Sequence, residues 1–457
     1  VVDRHDILRT GFFWEGLSSS IQVVWRKAAL SVTEVTLDAD GGDASAQLAA
    51  RFDSRTYRID LSQAPLLRFV IARVPGSERW LLLQHMHHLI GDHFALETLG
   101  KEVQILLSGR ADTLLAPEPF RNLVAQVRLG ISEQEHERFF RAMLSDIDQP
   151  STPFGLNNVH IDGTQVLQSG VKLPSILSTR LRTQARRLGI SLASLCHVAW
   201  GQVIARSSGL EQVVFGTVLF GRMQSGAGAD RTMGLFINTL PLRLDLDGTG
   251  VEACARQTQV RLAELLHHEH ASLAMAQRCS AVDASLPLFN TLLNYRHIYT
   301  PDRVASESSD KPLDGIEWLG AEERSNYPLT LSVEDFGNDL GLTVQAAHPL
   351  SPELVCDYML RTLEQLVEAL EYSPGMPVRQ LDILPPKERD ALLKDWIEAS
   401  RAQAETTVAE AFVRAPVQTA EALAATQIYL LDERAQPVPP GVVGEVYIGG
   451  AAVTRDH

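Results

Sequence analysis

The sequence predicts an α/β protein built from two comparable lobes, on three observations. Short β-type runs alternate with amphipathic helical stretches along the chain. A connection at 148–158, holding Pro150, Pro153 and Gly155, divides that alternation into two stretches of similar content. Residues 213–219 form a continuous apolar run, as expected of a strand buried on both faces. The chain has 457 residues, 45% of them hydrophobic and 21% charged. That is enough apolar material for two or three folded domains and too little charge for a disordered chain.

In the first lobe, Arg4-His5-Asp6-Ile7-Leu8-Arg9-Thr10 predicts a helix end that runs into a strand through Gly11-Phe12-Phe13. A core element usually precedes such a segment, so a truncated start is expected. Strands are predicted at 66–74 and 80–87, separated by the turn signal Pro75-Gly76-Ser77. A helix follows from about residue 93, with Phe94, Leu96, Leu99, Val103 and Leu106 spaced for one buried face. Residues 109–130 are mixed in character, and 133–147 predict a polar helix.

The second lobe opens with a strand, followed by helices over 174–188 and 191–207. The apolar strand 213–219, a Gly-rich polar loop at 221–231 and another strand at 235–244 come next. Long amphipathic helices are predicted at 250–268 and 352–371. Pro374, Pro377, Pro385 and Pro386 mark a linker, and a charged helix over 387–399 follows it. Segment 401–425 is Ala-rich, and 426–450 predicts a hairpin with a Pro-rich turn.

Composition narrows the function. A net charge of −15 gives no counterion-release drive toward nucleic acid, so that partner is set aside. No apolar run approaches the roughly 20 residues that span a bilayer, so no membrane role is expected. The N-terminus resembles neither a signal nor a transit peptide, and a cytoplasmic location is expected. Cys196, Cys254, Cys279 and Cys356 are far apart with no C-x-x-C spacing, which predicts buried reduced thiols.

The stretch richest in chemistry is Gln84-His85-Met86-His87-His88-Leu89-Ile90-Gly91-Asp92-His93, at the end of a predicted strand and the start of a helix. Strand neighbours face opposite ways, so His87 and His88 cannot share one role: one turns to the core, the other to a cleft. A neutral imidazole accepts a proton from an attacking amine or holds that amine by a hydrogen bond. Asp92 stands where it would cap the helix or pair with a distant cation. His85 and His87 share a face, but no third ligand is evident, so no metal site is expected.

His87-His88-Leu89-Ile90-Gly91-Asp92 resembles the HHxxxDG signature of nonribosomal peptide synthetase condensation domains, within the chloramphenicol-acetyltransferase-like superfamily. Four further segments fit that family in order. They are Arg4 to Thr10; Phe215-Gly216-Thr217-Val218 with Gly221-Arg222 and Met233 to Pro241; Phe289 to Tyr295; and Asn326 to Leu331. The resemblance spans residue 1 to about 385.

It implies two acetyltransferase-like lobes in a V-shaped pseudo-dimer, N-terminal over 1–155 and C-terminal over 156–380, with a central tunnel. Phosphopantetheine arms would enter that tunnel, carried by an upstream donor and a downstream acceptor peptidyl carrier domain; no permanently bound cofactor is implied. His88 matches the family's active-site histidine, and His87 and His93 are expected with it as catalytic residues. Asp92 would be structural, paired with Arg222 or, as runner-up, Arg9, and Gly91 completes the support of the site. The motif's final glycine is His93 here, followed by Phe94-Ala95-Leu96-Glu97. That variant resembles the dual condensation/epimerisation subclass, where a second acid/base group would serve inversion of the donor α-carbon. His267-His268-Glu269-His270 is expected to close a helix as cationic side chains that suit its dipole.

Residues 381–404 resemble the linker into an adjacent adenylation domain, and 405–457 a fragment of such a domain without its phosphate-binding loop, so no ATP chemistry is expected. Two other functions stay open at this point: a stand-alone acyltransferase using a soluble thioester, and a noncatalytic docking domain.

Overall fold

The computed structural model describes residues 1–53, 56–156, 166–222, 231–297, 316–317, 319–320, 327–394, 426–432, 435–439 and 442–450. The first lobe contains β1 (Thr10–Phe13), β2 (Ile21–Val24), β3 (Ser31–Val35), α1 (Ala44–Arg51), β4 (Leu67–Arg73), β5 (Trp80–Met86), α2 (His93–Leu107), α3 (Phe120–Leu129) and α4 (Glu133–Leu144). The second contains β6 (Val166–Lys172), α5 (Ser175–Leu188), α6 (Leu192–Ser208), β7 (Gln212–Leu219), β8 (Asn238–Asp245), α7 (Val251–His267), α8 (Leu273–Arg278), β9 (Thr291–His297), β10 (Leu329–Asp335), β11 (Leu340–Ala347) and α9 (Pro352–Tyr372). A hairpin of β12 (Thr426–Leu431) and β13 (Glu445–Gly450) follows.

In the first lobe β3 pairs parallel to β4, and β4 antiparallel to β5. Alternation splits the sheet's residues between two clusters. Val70 and Ala72 pack with Leu48 and Phe52 beside α1. Leu67 joins Ile7, Leu8, Leu66, Ile90, Ala95, Leu99, Phe120 and Leu123, together with Met233 and Phe236 from beyond β7. The predicted strand 235–244 therefore begins later, at Asn238, because Met233 and Phe236 leave the second lobe to fill the core of the first.

The second lobe is organised on a six-stranded sheet of order β6-β11-β10-β9-β7-β8, with β9 parallel to both neighbours and the other pairs antiparallel. Its core holds the fully buried Trp200, Phe215 and Tyr358. Serine caps start α6 and α9: Ser191 accepts from the N–H of Ser194, and Ser351 from that of Leu354 ahead of Pro352. The pair α5 and α6 has membrane-like length and composition only when taken together, and it is bent by 110° with α6 inside the core. No single helix among the described residues is long and apolar enough to cross a membrane.

Packing moves both expected edges of the second lobe. α4 precedes residue 155 in sequence, yet Phe140 and Leu144 belong to the second lobe's core. Leu381, Ile383 and Leu384, expected as linker, are buried in the same core, and the Tyr358 hydroxyl donates to Glu388 at 2.6 Å. Residues 395–425, the body of the Gly-rich loop at 223–230 and Asn326 lie outside the described residues. α3 occupies part of 109–130, where no element was expected; its N-terminus is held by Asp6, whose Oδ1 accepts from the N–H of Phe120 at 3.0 Å. All four cysteines are buried and free, and burial pushes the Cys196 and Cys254 thiols up to about 12.

Candidate active site

β5 ends at Met86 and the chain turns through a short 3-10 segment, His88–Ile90, into α2. His87 caps that turn. Its Nδ1 accepts the N–H of Leu89 at 3.2 Å, which leaves the ring proton on Nε2. Half-burial, and then the neighbouring His88, lower its pKa, so His87 is a neutral structural ring. His88 follows as the first residue of the 3-10 segment and is exposed. The buried Ile90 anchors the turn between them. Gly91 fits because a Cβ there would lie 2.6 Å from that of Ala95 and 3.4 Å from Cε of Met86.

Asp92 does both things open to it. Its Oδ1 accepts from the N–H of Ala95 at 3.0 Å, capping α2, and its carboxylate receives Nη2 of Arg222 at 3.3 and 3.4 Å. The N–H of Phe236 donates to Oδ2 at 3.3 Å. The Asp92 side chain is 0% exposed and that of Arg222 7%. Burial pulls the Arg222 guanidinium below its ordinary pKa, against the opposing pull of Asp92. Nη1 of Arg222 donates to the Thr232 carbonyl at 3.0 Å. Two rings flank the guanidinium, Phe94 with its centroid 4.0 Å from Cζ and Phe236 at 3.8 Å. A desolvated cation against an aromatic face is worth about 2 kcal/mol. Gly221 permits the turn that delivers Arg222: its φ is +71°, and a Cβ there would run into the Phe236 carbonyl oxygen.

One sequence expectation is corrected here. Arg9 does not partner Asp92; its Nη1 donates to the carbonyls of Trp25 and Arg26 and ties β1 to the end of β2. His93, the first residue of α2, is 75% exposed, with Nε2 3.1 Å from Glu97 one turn later. The reason is helical geometry: Asp92 must turn inward to cap α2, and the next residue then falls on the outer face.

The segment starting at Arg4 supports the same helix from behind. Arg4 makes a two-pronged contact with Glu102 of α2, at 3.0 and 3.2 Å, and His5 Nε2 lies 3.0 Å from the same carboxylate. Desolvation raises the pKa of Glu102, but the hydrogen bonds from Arg4 and His5 outweigh it and the net shift is downward. Phe94, Phe236, Thr232 and Glu102 escaped the sequence reading. For Phe236 a signal existed, its place within Met233 to Pro241, but nothing local marks it as a neighbour of Asp92.

His267-His268-Glu269-His270 also differs from expectation. His268 stacks on Phe139 at 4.1 Å, and its Nδ1 lies 2.9 Å from that of His136 of α4. Burial first, then His136, lowers its pKa to about 4. It is a neutral packing residue, not a cation at a helix end. Recesses of about 780 and about 600 Å³ lie in the second lobe around Arg243 and around Arg379; neither is lined by His88, so the expected tunnel is not one of these two. Among the described residues no cluster of three or more His, Cys, Asp or Glu is arranged to hold a metal ion.

A condensation-domain family model matches residues 1–393. The chain belongs to the condensation-domain family. This condensation domain is of the kind found in nonribosomal peptide synthetases. It is 56% identical over 392 residues to malpinin synthetase of Mortierella alpina, covering 86% of this chain and 5% of that protein. Malpibaldin synthetase of the same organism is 53% identical over 396 residues, 87% of this chain and 7% of the relative. The domain thus spans only a small part of the length of these curated relatives. Among solved structures, a four-domain nonribosomal peptide synthetase superposes with a TM-score of 0.66 at 16% identity, over 87% of this chain and 33% of that one. The X-domain from teicoplanin biosynthesis gives 0.65 at 19% identity, over 84% and 88%. These likenesses concern the fold, the two-lobed acetyltransferase-like architecture.

Proposed function

We propose that this condensation domain forms an amide bond between a donor aminoacyl or peptidyl thioester and an acceptor aminoacyl thioester, both presented by carrier domains. His88 carries the reading: an exposed imidazole on a turn held by a buried ion pair, placed beside a neutral, capped His87. In this reaction the acceptor amine attacks the donor thioester carbon. His88 accepts the amine proton or orients the amine through a ring nitrogen, and the donor thiolate leaves. The carrier domains bring their own phosphopantetheine arms.

Prior epimerisation of the donor would need a second acid/base group at the same carbon. His93 is turned to Glu97 and solvent, so amide formation alone is favoured. The test is a loading assay with matched donor and acceptor carriers. The condensing reading requires dipeptidyl product on the acceptor carrier, lost in His88→Ala. Product from free thioester and amine without carriers would instead favour a stand-alone acyltransferase, and carrier binding with no product a docking domain. Incubation of an L-donor in deuterated solvent tests the epimerisation step: retained protium and an all-L product remove it.

A further inference from the structure

We infer that Phe94 and Phe236 form an aromatic clamp whose purpose is to position His88, and that this clamp makes position 222 specific for arginine rather than for positive charge. The inference rests on His88 being the reactive group and adds residues to that reading.

The ion pair alone is loose. Both Arg222 to Asp92 contacts are long, at 3.3 and 3.4 Å, and Asp92 also serves Ala95 and Phe236. The rings add a constraint on the guanidinium: with centroids 4.0 and 3.8 Å from Cζ, they cover it where Nη2 meets Asp92 and Nη1 meets the Thr232 carbonyl. The rings come from different lobes. Phe94 is the second residue of α2, two positions after Asp92, while Phe236 precedes β8 and sits in the first lobe's core. Asp92 caps α2 and ends the turn that carries His88. Rotation of the guanidinium therefore moves the carboxylate, the cap and the turn together. A lysine at 222 would keep the charge but has no planar face for either ring and no second donor in fixed geometry for Thr232.

The test uses Arg222→Lys, Phe94→Leu and Phe94→Tyr in the full chain, with ring-labelled histidine and the His88 resonances assigned by their loss in His88→Asn. Phe94 is half-buried at the start of a helix, so Phe94→Leu keeps the fold, and melting is recorded for every variant. Expected are displaced and broadened His88 ring signals in Arg222→Lys and Phe94→Leu, with Phe94→Tyr close to wild type. In the carrier assay kcat falls by about a hundredfold in the first two, with acceptor KM little changed, as for a misplaced reactive group. Unchanged His88 signals in folded Arg222→Lys and Phe94→Leu overturn the clamp, whatever the activity. Displaced signals in a protein whose wild type makes no product leave the clamp standing and remove the proposed reaction instead.

Discussion

Asp92 and Arg222, 130 positions apart in sequence, meet across the two lobes as an ion pair closed off from solvent. Asp92 also caps α2 and Arg222 also binds Thr232, so one contact joins the helix behind the HHxxxD turn to the loop that leaves the second lobe's sheet. The pair is an assembly device, and its partners set what happens when it is broken.

Asp92→Ala removes the cap and leaves Arg222 charged and buried without its counter-ion. Breaking such a pair costs about 3–5 kcal/mol, and loss of the cap about 1 kcal/mol more. Urea unfolding should show a large fall in stability, with activity lost as a consequence. Unchanged melting with vanished activity would show the carboxylate acting on substrate instead.

Gly221→Ala should be costly and Gly16→Ala cheap, although both glycines have φ near +70°. Strain from φ alone is about 1 kcal/mol, and that is all Gly16 faces, with nothing within 4 Å of its Cβ. At Gly221 the added carbon runs into the Phe236 backbone and displaces Arg222. Side-by-side denaturation curves decide: equal losses for the two variants would remove the argument from close approach.

Acid should weaken the second lobe before its carboxylates titrate. His268 and His197 both have folded pKa values lowered to about 4, chiefly by burial, against about 6.5 in the unfolded chain. His197 is held neutral between the Ala193 carbonyl and the Thr217 hydroxyl, at 2.7 Å each. Between these pH limits the unfolded state binds the protons, so stability is full above about 6.5 and falls as pH drops toward about 4. The slope is about 1.4 kcal/mol per pH unit for each histidine. Urea unfolding at about pH 7 and about pH 5 measures it, and His268→Phe should flatten the dependence by one proton; equal stabilities at both pH values would contradict neutral burial.

His93→Gly should leave condensation within about twofold of wild type and stability nearly unchanged, because an exposed side-chain contact such as that with Glu97 contributes about 0–1 kcal/mol. Product yield and donor α-proton exchange are measured together. Loss of exchange with condensation intact would return an acid/base role to this ring.

Much of the site was legible locally. The strand-to-helix turn that carries His87 and His88 follows from the change of pattern there, and the capping position of Asp92 from its place before an amphipathic run. Arg222 emerged only through resemblance, since its own neighbourhood reads as a polar loop. The direction of His93 was not legible, because it is decided by the helix phase that Asp92 sets.

The sequence by itself determined the alternating α/β pattern and the motif turn, because periodicity, turn residues and caps act over a few residues; the family came from the resemblance of its motifs. Tertiary structure alone decided which lobe owns α4 and 381–384, that Met233 and Phe236 cross into the first lobe's core, and that two phenylalanines close on Arg222. Those outcomes depend on contacts beyond the reach of local pattern, such as Phe94 with Arg222, and burial of that kind leaves no periodic trace along the chain.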